Sequence, residues 1–294
     1  MRSGELTEVA QVLVNGVFLG CLFAVVAVGL TLIYGVMEVP NFAHSGIIAL
    51  SAFATYSAGK HGAPFVLAAA LGILVGGVLS VLTEQVAYRW VRDNPAAAPA
   101  VALGLLLVLQ NVALRIYGGE GKAVNTPYDR AILKVGDVSL AGVKVALIVL
   151  AVLSLLALSL LLSRTSLGRA VRAVAQDREA AAMLGIPMQR QYTLAFLIAG
   201  LLGGVAAVAY APTFQVSPYM ADEILLSGFV VVVLGGLGSV WGAVVGGLLL
   251  GVVESLGSAY VSASYQSAFG FLALVLILVT RPTGLLTTTG RRVA

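Results

Sequence analysis

The stretch "QVLVNGVFLGCLFAVVAVGLTLIYGVMEVPNFAHSGII" (residues 11–48) opens as an apolar run and ends in a glutamate, a proline, an asparagine, a histidine and a glycine. The apolar part is long enough for the hydrocarbon core of a bilayer, which a helix of about 20 residues crosses. Comparable runs recur up to residue 280. Of the 294 residues 60% are hydrophobic and only 10% charged, with a mean hydropathy of +1.01, whereas an ordinary soluble domain is roughly 25% charged. The sequence reads as an all-α, polytopic transmembrane bundle. It forms one domain over 1–294, because no polar block is long enough to fold separately. The first run is too long for a removable signal segment. Cys21, the single cysteine, lies inside it and has no partner for an intrachain disulfide.

Spans are expected at 10–35, 44–58, 64–88, 97–116, 143–162, 192–211, 223–236, 243–260 and 265–280. Short loops rich in arginine stay on the cytoplasmic side. Arg164, Arg169, Arg172, Arg178 and Arg190 place the segment after the fifth span there. Parity then puts Arg89, Arg92, Arg281, Arg291 and Arg292 inside as well, with the N-terminus outside and the C-terminus cytoplasmic. The long loop 117–144 falls outside. Its "AILKVGDVSLAGVKV" (131–145) combines a Gly-Asp turn with alternating apolar positions, the pattern of a small hairpin.

The 34 glycines are not linkers. Gly16 and Gly20, Gly72 and Gly76, Gly200 and Gly204, Gly242 and Gly246, and Gly247 and Gly251 are spaced so that membrane helices can approach closely. In "LGGLGSVWGAVVGG" (234–247), Gly235, Gly236, Gly238 and Gly242 are too dense for a straight helix. No phosphate-binding loop fits there, since no lysine follows and the flanks are lipid-grade. Two interrupted spans are therefore expected, at 38–48 and 234–242, in corresponding places of two inverted halves arranged 4+1+4. That pattern points to a transport path.

The charged stretch "SRTSLGRAVRAVAQDREAAAMLGIPMQRQY" (163–192) reads as a cytoplasmic helix over 166–184. Leu167, Val171 and Val174 share one side and arginines the other. Gly185 followed by Pro187 ends it. The residues alone leave two uses open, docking of a partner protein or adhesion to anionic lipid.

Four motifs in order now carry a resemblance. "VPNFAHSG" (39–46), "EAAAMLG" (179–185), "VLGGLGSVWGAVVGGLLLGVVESLGSAYVS" (233–262) and "RPTGLL" (281–286) resemble the branched-chain amino acid permease family of ABC importers, over residues 12–286. The resemblance implies a permease subunit of the bacterial or archaeal cytoplasmic (inner) membrane, moving branched-chain amino acids or a related small polar solute by ATP-driven alternating access. It implies partners too: two P-loop ATPases, a second permease, identical or homologous, and a soluble substrate-binding protein. Segment 164–188 would be the coupling segment, with Arg169, Arg172, Asp177, Glu179, Ala180, Ala181 and Gly185 meeting the ATPase. No G-x-x-x-x-G-K-[ST] occurs in the chain, so ATP belongs to those partners. No cofactor, metal, catalytic residue or nucleic acid is expected.

Candidates for the path are Asn41, His44, Ser45, Gly235, Gly236, Gly238 and Glu254. The family has glycine and then an acid after its histidine, where this chain has Ser45 and Gly46. That departure keeps urea or a short amide open as substrate, while an autonomous channel or secondary transporter is the rival outside the family. Glu254, an acid inside a span, should face the bundle interior or a cavity, either protonated or paired with a polar group such as Gln110 or Asn111. Glu84 is expected to meet Arg89, Arg92 or water. An enzyme is the weakest rival, since His44 and His61 are the only histidines and no nucleophile-base pair appears.

Overall fold

The computed structural model describes residues 2–92, 94, 96–124, 126, 132–135, 138–281 and 283–286. Helix α1 (Arg2–Met37) is followed by α2 (Ala43–Lys60) and α3 (Phe65–Thr83). The latter continues through one π-helical turn (Glu84–Tyr88) into the short α4 (Arg89–Val91). After α5 (Ala97–Tyr117) come strands β1 (Ile132–Val135) and β2 (Val138–Ala141), then α6 (Gly142–Arg164). Two short helices, α7 (Ser166–Gln176) and α8 (Arg178–Met183), lead into α9 (Met188–Tyr210), α10 (Met220–Gly235) and α11 (Val240–Tyr260). A 3-10 turn (Ala263–Tyr265) and α12 (Gln266–Thr280) close the order.

Each expected span coincides with a helix. Seven are long and apolar enough to cross a membrane; α2 and α10, of 18 and 16 residues, are not among them. The reason differs between the two. Helix α10 is short, while α2 carries polar groups turned to protein, with His44, Ser45, Ser51 and Thr55 all buried. Of the apolar windows of α1 and α9, 83% and 72% are buried, against 17% for α6 and 11% for α12. The first pair is therefore the centre and the second faces lipid.

Two glycine seams hold the bundle. On α1, a methyl group placed at Gly20 would lie 2.7 Å from the Leu248 Cα of α11, and one at Gly247 only 2.6 Å from the Ala24 nitrogen. Between α3 and α9, one at Gly76 would lie 2.5 Å from the Gly200 carbonyl oxygen, and one at Gly204 2.5 Å from the Ile73 Cα. Lipid tails are as apolar as leucine, so backbones this close are needed to favour helix over lipid. The seams are related to each other. Exchanging α1 with α9 and α3 with α11 turns one into the other, and each is built from facing Gly-xxx-Gly pairs. Helix α6 touches both α1 and α9. This is the 4+1+4 inverted arrangement, with α1, α2, α3 and α5 answered by α9, α10, α11 and α12 in the opposite sense.

The two expected interruptions are not counterparts in that repeat. Residues 38–42 and 236–239 are turns between successive helices, and an even number of spans separates them, so both lie at the same end of the bundle. Inversion relates 38–42 to the α9–α10 connection and 236–239 to the α2–α3 connection. Nor is either a break within one span. Helix α2 leaves α1 to pack on α3, α5 and α9, whereas α10 and α11 fold back on each other.

The hairpin expected in the long loop is present, with Ile132 opposite Ala141 and Val135 opposite Val138. It marks the end opposite α7 and α8. Its Gly136-Asp137 turn, like Arg291 and Arg292, lies outside the described residues.

Candidate functional site

The α1–α2 turn is built from local rules. Tyr34 C=O accepts from the Glu38 N–H at 2.7 Å, and Glu38 then takes a φ of +60°, which turns the chain out of α1. A side chain in this left-handed region costs about 1–3 kcal/mol and is tolerated mostly where surrounding structure enforces it. Pro40 cannot extend α1. The hydroxyl of Ser45 donates to the Phe42 carbonyl at 3.1 Å, which closes the first turn of α2.

This turn walls a cavity of about 290 Å³. Glu38, Pro40, Asn41 and Phe42 meet Leu30 and Tyr34 of α1 there, with Leu225, Phe229 and Val232 of α10 and Leu237 of the second turn. Phe42 and Phe229 meet edge to face at 6.2 Å. Mostly apolar walls with a few polar groups are the usual make-up of a small-molecule site. Asn41 is the one sequence candidate on the wall. Its Oδ1 accepts from the Tyr88 hydroxyl at 2.8 Å, while its Nδ2 is buried without a protein partner.

His44 lies deeper. Its ring sits in a notch between α1 and α9, so that a methyl group at Gly29 would be 2.8 Å from Nε2 and one at Gly203 3.0 Å from Cε1. Neither ring nitrogen has a hydrogen-bond partner in the protein. Thr31 Oγ1 and Gln191 Oε1 are likewise buried and unpaired. Ser45 serves the turn, and Gly46 lies against Leu109 of α5, 3.1 Å from where its Cβ would be.

In the second turn Gly236 and Gly238 take φ values of +103° and +83° that side chains resist. Gly235 faces Gly242 so closely that only glycine fits. Ser239 caps α11 by accepting from the Gly242 N–H at 3.0 Å. Sequence reasoning missed the clamp on this turn. The "RPTGLL" segment returns to it, with the N–H groups of Leu285 and Leu286 donating to the carbonyls of Leu234 and Gly235 at 2.9 and 3.1 Å.

Glu254 is not on this cavity. It is buried between α11 and α12, where the Gln266 amide donates to Oε2 at 3.2 Å. The expected partners are engaged elsewhere: Gln110 donates to Asp222 at 2.8 Å and Asn111 to the Leu107 carbonyl at 2.7 Å. Glu254→Gln keeps an acceptor for Gln266, so transport is expected to stay within about twofold of wild type in vesicle uptake. A tenfold loss would return Glu254 to the path.

Glu84 also departs from expectation. Its carboxylate, fully buried, accepts from Gln189 Nε2 at 2.9 Å and Thr193 Oγ1 at 3.0 Å, both on α9. Arg92 reaches it through Gln189, to whose Oε1 it donates. A buried carboxylate needs such donors, and helix rotation supplies them from a distant part of the chain.

The coupling segment is two helices where one was expected. Asp177 breaks from helical geometry (φ −154°, ψ 109°), and its carboxylate caps α8 by accepting from the Ala180 N–H at 2.9 Å. Thr165 caps α7 in the same way, at 3.0 Å from the Gly168 nitrogen. Gly185, at φ +78°, ends α8, with the Ile186 N–H donating back to the Ala181 carbonyl at 3.1 Å. Val171, Val174 and Ala181 are buried against the bundle, while Leu167 stays partly exposed. Ala181, a candidate for docking, is thus turned inward and helps seat the segment. Arg169, Arg172, Glu179 and Ala180 are exposed, and the tip bears Met183 and Leu184, 83% and 81% exposed.

Comparison with known proteins gives the same outline. Residues 12–280 match the family model described as branched-chain amino acid transport system / permease component. The chain is 33% identical to the high-affinity branched-chain amino acid transport system permease protein BraD of Pseudomonas aeruginosa, covering 96% of this chain and 97% of that one. It is 32% identical to the corresponding LivH protein of Escherichia coli over 94% of each chain. A probable branched-chain amino acid transport permease protein LivH of Methanocaldococcus jannaschii is 26% identical over 92% of this chain and 87% of its own.

Proposed function

Because the chain belongs to the family of permease components of branched-chain amino acid transport systems, we propose that it forms the membrane path for leucine, isoleucine and valine in an importer driven by separate ATPases. The observation that carries this is the α7–α8 segment. It is capped at both starts and buried on one side by Val171, Val174 and Ala181, and it holds Met183 and Leu184 out in solvent. An apolar tip on a rigid mount suits a cleft in another protein. Two P-loop ATPases would dock there, one on this chain and one on a second permease, with a soluble binding protein delivering solute at the hairpin end. That end faces outward, and the N-terminus with it. Binding of ATP favours one arrangement of the paired subunits, and this differential affinity shifts the path between its two openings.

The missing acid after His44, which pointed toward urea or short amides, carries little weight once its surroundings are known. Position 46 packs on Leu109 inside the bundle and is not part of the cavity wall, so an acid there would not face a solute in that cavity. The test is a gentle pull-down of tagged protein from native membranes, followed by uptake of radiolabelled leucine and urea in vesicles holding the purified assembly. Recovery of P-loop ATPases and ATP-dependent leucine uptake is the expected result. Recovery of the folded chain alone would overturn the reading in favour of an autonomous channel or secondary transporter.

A further inference from the structure

The α3–α4 end carries a set of buried polar contacts that the path and the docking segment, taken separately, do not use. Arg178 of α8 donates to the Tyr192 hydroxyl on α9 and lies 5.4 Å from that ring's centre. Arg92, beyond α4, lies 4.8 Å from the same ring and donates to Gln189. Gln189 and Thr193 hold Glu84. Four residues on, Tyr88 is fully buried, tilts against the Phe196 ring of α9 at 5.1 Å, and gives its hydroxyl to Asn41 at 2.8 Å. A single set of contacts thus runs from the docking segment to the cavity wall.

Glu84–Tyr88 is also the π-helical turn of α3. Such turns are rare and recur where function needs a helix to deform. Here the wide turn aims a carboxylate at α9, and four residues later a phenol at the α1–α2 turn. Tyr88 donates to the Asn41 amide oxygen, so the amide's orientation on the cavity wall depends on where α3 stands. Glu38, three residues before Asn41, holds its positive φ in the same turn.

We infer that the Glu84–Tyr88 turn is the linkage through which displacement of α7 and α8 reaches the cavity, with Glu84 anchoring the first two turns of α9 to α3 and Tyr88 as the positioning residue for Asn41. This rests on the reading of the chain as an ATPase-driven permease. A coupling claim needs more than proximity, and a merely structural contact would lower stability while leaving the ATP spent per solute unchanged. The linkage alters that ratio.

The experiment uses the whole transporter in proteoliposomes, with Tyr88→Phe, Asn41→Ala, their double variant, and Tyr192→Phe as a second break at the other end. Each tyrosine change deletes only a hydroxyl and keeps the ring contacts. ATPase recovery and hydrolysis are expected to stay within about twofold of wild type for Tyr88→Phe, while leucine uptake falls about tenfold, so that ATP per solute rises at least about fivefold. Tyr192→Phe should raise the ratio in the same direction, and the double variant should be no worse than Asn41→Ala alone, as for residues that act through one contact. An unchanged ratio in assembled Tyr88→Phe and Tyr192→Phe would overturn the linkage while leaving the permease reading intact. So would full multiplication of the two single effects in the double variant. Failure of the wild-type chain to bring down any ATPase would overturn the permease reading itself, and the linkage with it.

Discussion

Gly251→Leu is expected to leave almost no folded protein in the membrane. A Cβ at Gly251 would fall on the backbone of Gly20, with the nitrogen and Cα of that residue in the way and the Gly16 carbonyl close behind. None of these atoms belongs to a flexible side chain that could swing aside. The α1–α11 seam would have to open along its length. Overpacking a protein core costs typically about 1–3 kcal/mol, and more when backbone must move, and here one of the two seams that hold the bundle is forced apart. Detergent-solubilised, fluorescent-tagged protein should lose its monodisperse gel-filtration peak. Gly104→Leu is the matched control, because nothing lies within 4 Å of its missing Cβ; it should elute like wild type. Equal profiles for the two variants would mean that the seam is not as close as described.

That contrast also shows what sequence spacing can and cannot carry. Gly16, Gly20, Gly72, Gly76, Gly200, Gly204, Gly247 and Gly251 announce close packing by their four-residue interval. The interval does not say that α1 takes α11 and α3 takes α9. Helices α1 and α9 are apolar on every side, so their own residues do not reveal which side meets which neighbour. For the same reason the spans were legible to within a few residues, while the partners of Glu84 and Glu254 were not. A partner depends on how far two helices rotate about their axes. The turn at 236–239 shows in its glycines but its sense does not, because an interrupted span and a reversal between two helices leave the same signature. Caps fared better: Gly185 ends α8 as its spacing implies, because the rule that places it is local. Asp177, a candidate for docking, also caps α8, a role that shows only once the segment is split into two helices. The π-turn has no sequence signature at all, and neither have the contacts it makes through Tyr88, Gln189, Thr193 and Tyr192. Three of the four short motifs lie within the matched residues 12–280, and "RPTGLL" (281–286) begins just beyond them.

Charging the tip of α8 is expected to have the other large effect. In Met183→Glu/Leu184→Glu the bundle should fold normally, since both side chains stand in solvent and support nothing. What they would lose is the cleft of the proposed ATPase. Fully burying one such side chain contributes about 1.5–3 kcal/mol, and a carboxylate forced into the same place adds desolvation on top. Two replacements therefore weaken docking by about 4 kcal/mol or more, roughly a thousandfold in Kd. Pull-downs with the variant should recover no ATPase, whereas the wild type recovers it in the same detergent. Arg169→Glu/Arg172→Glu separates the two uses that the sequence left open. Were α7 a lipid anchor, this pair would release the segment from anionic vesicles and the tip variant would matter little. Were it a docking mount, the tip variant would dominate and the arginine pair would show a loss that shrinks with added salt, as exposed charges are screened within about 10 Å at 0.1 M. Glu179→Lys falls between them. The residue is exposed in the first turn of α8, where its carboxylate also suits the positive end of the helix, so reversing its charge should lower coupled transport while the subunit remains inserted. Full ATPase recovery with both tip residues charged would remove the docking role from α8 and leave the partner's seat to be sought elsewhere on the same end of the bundle.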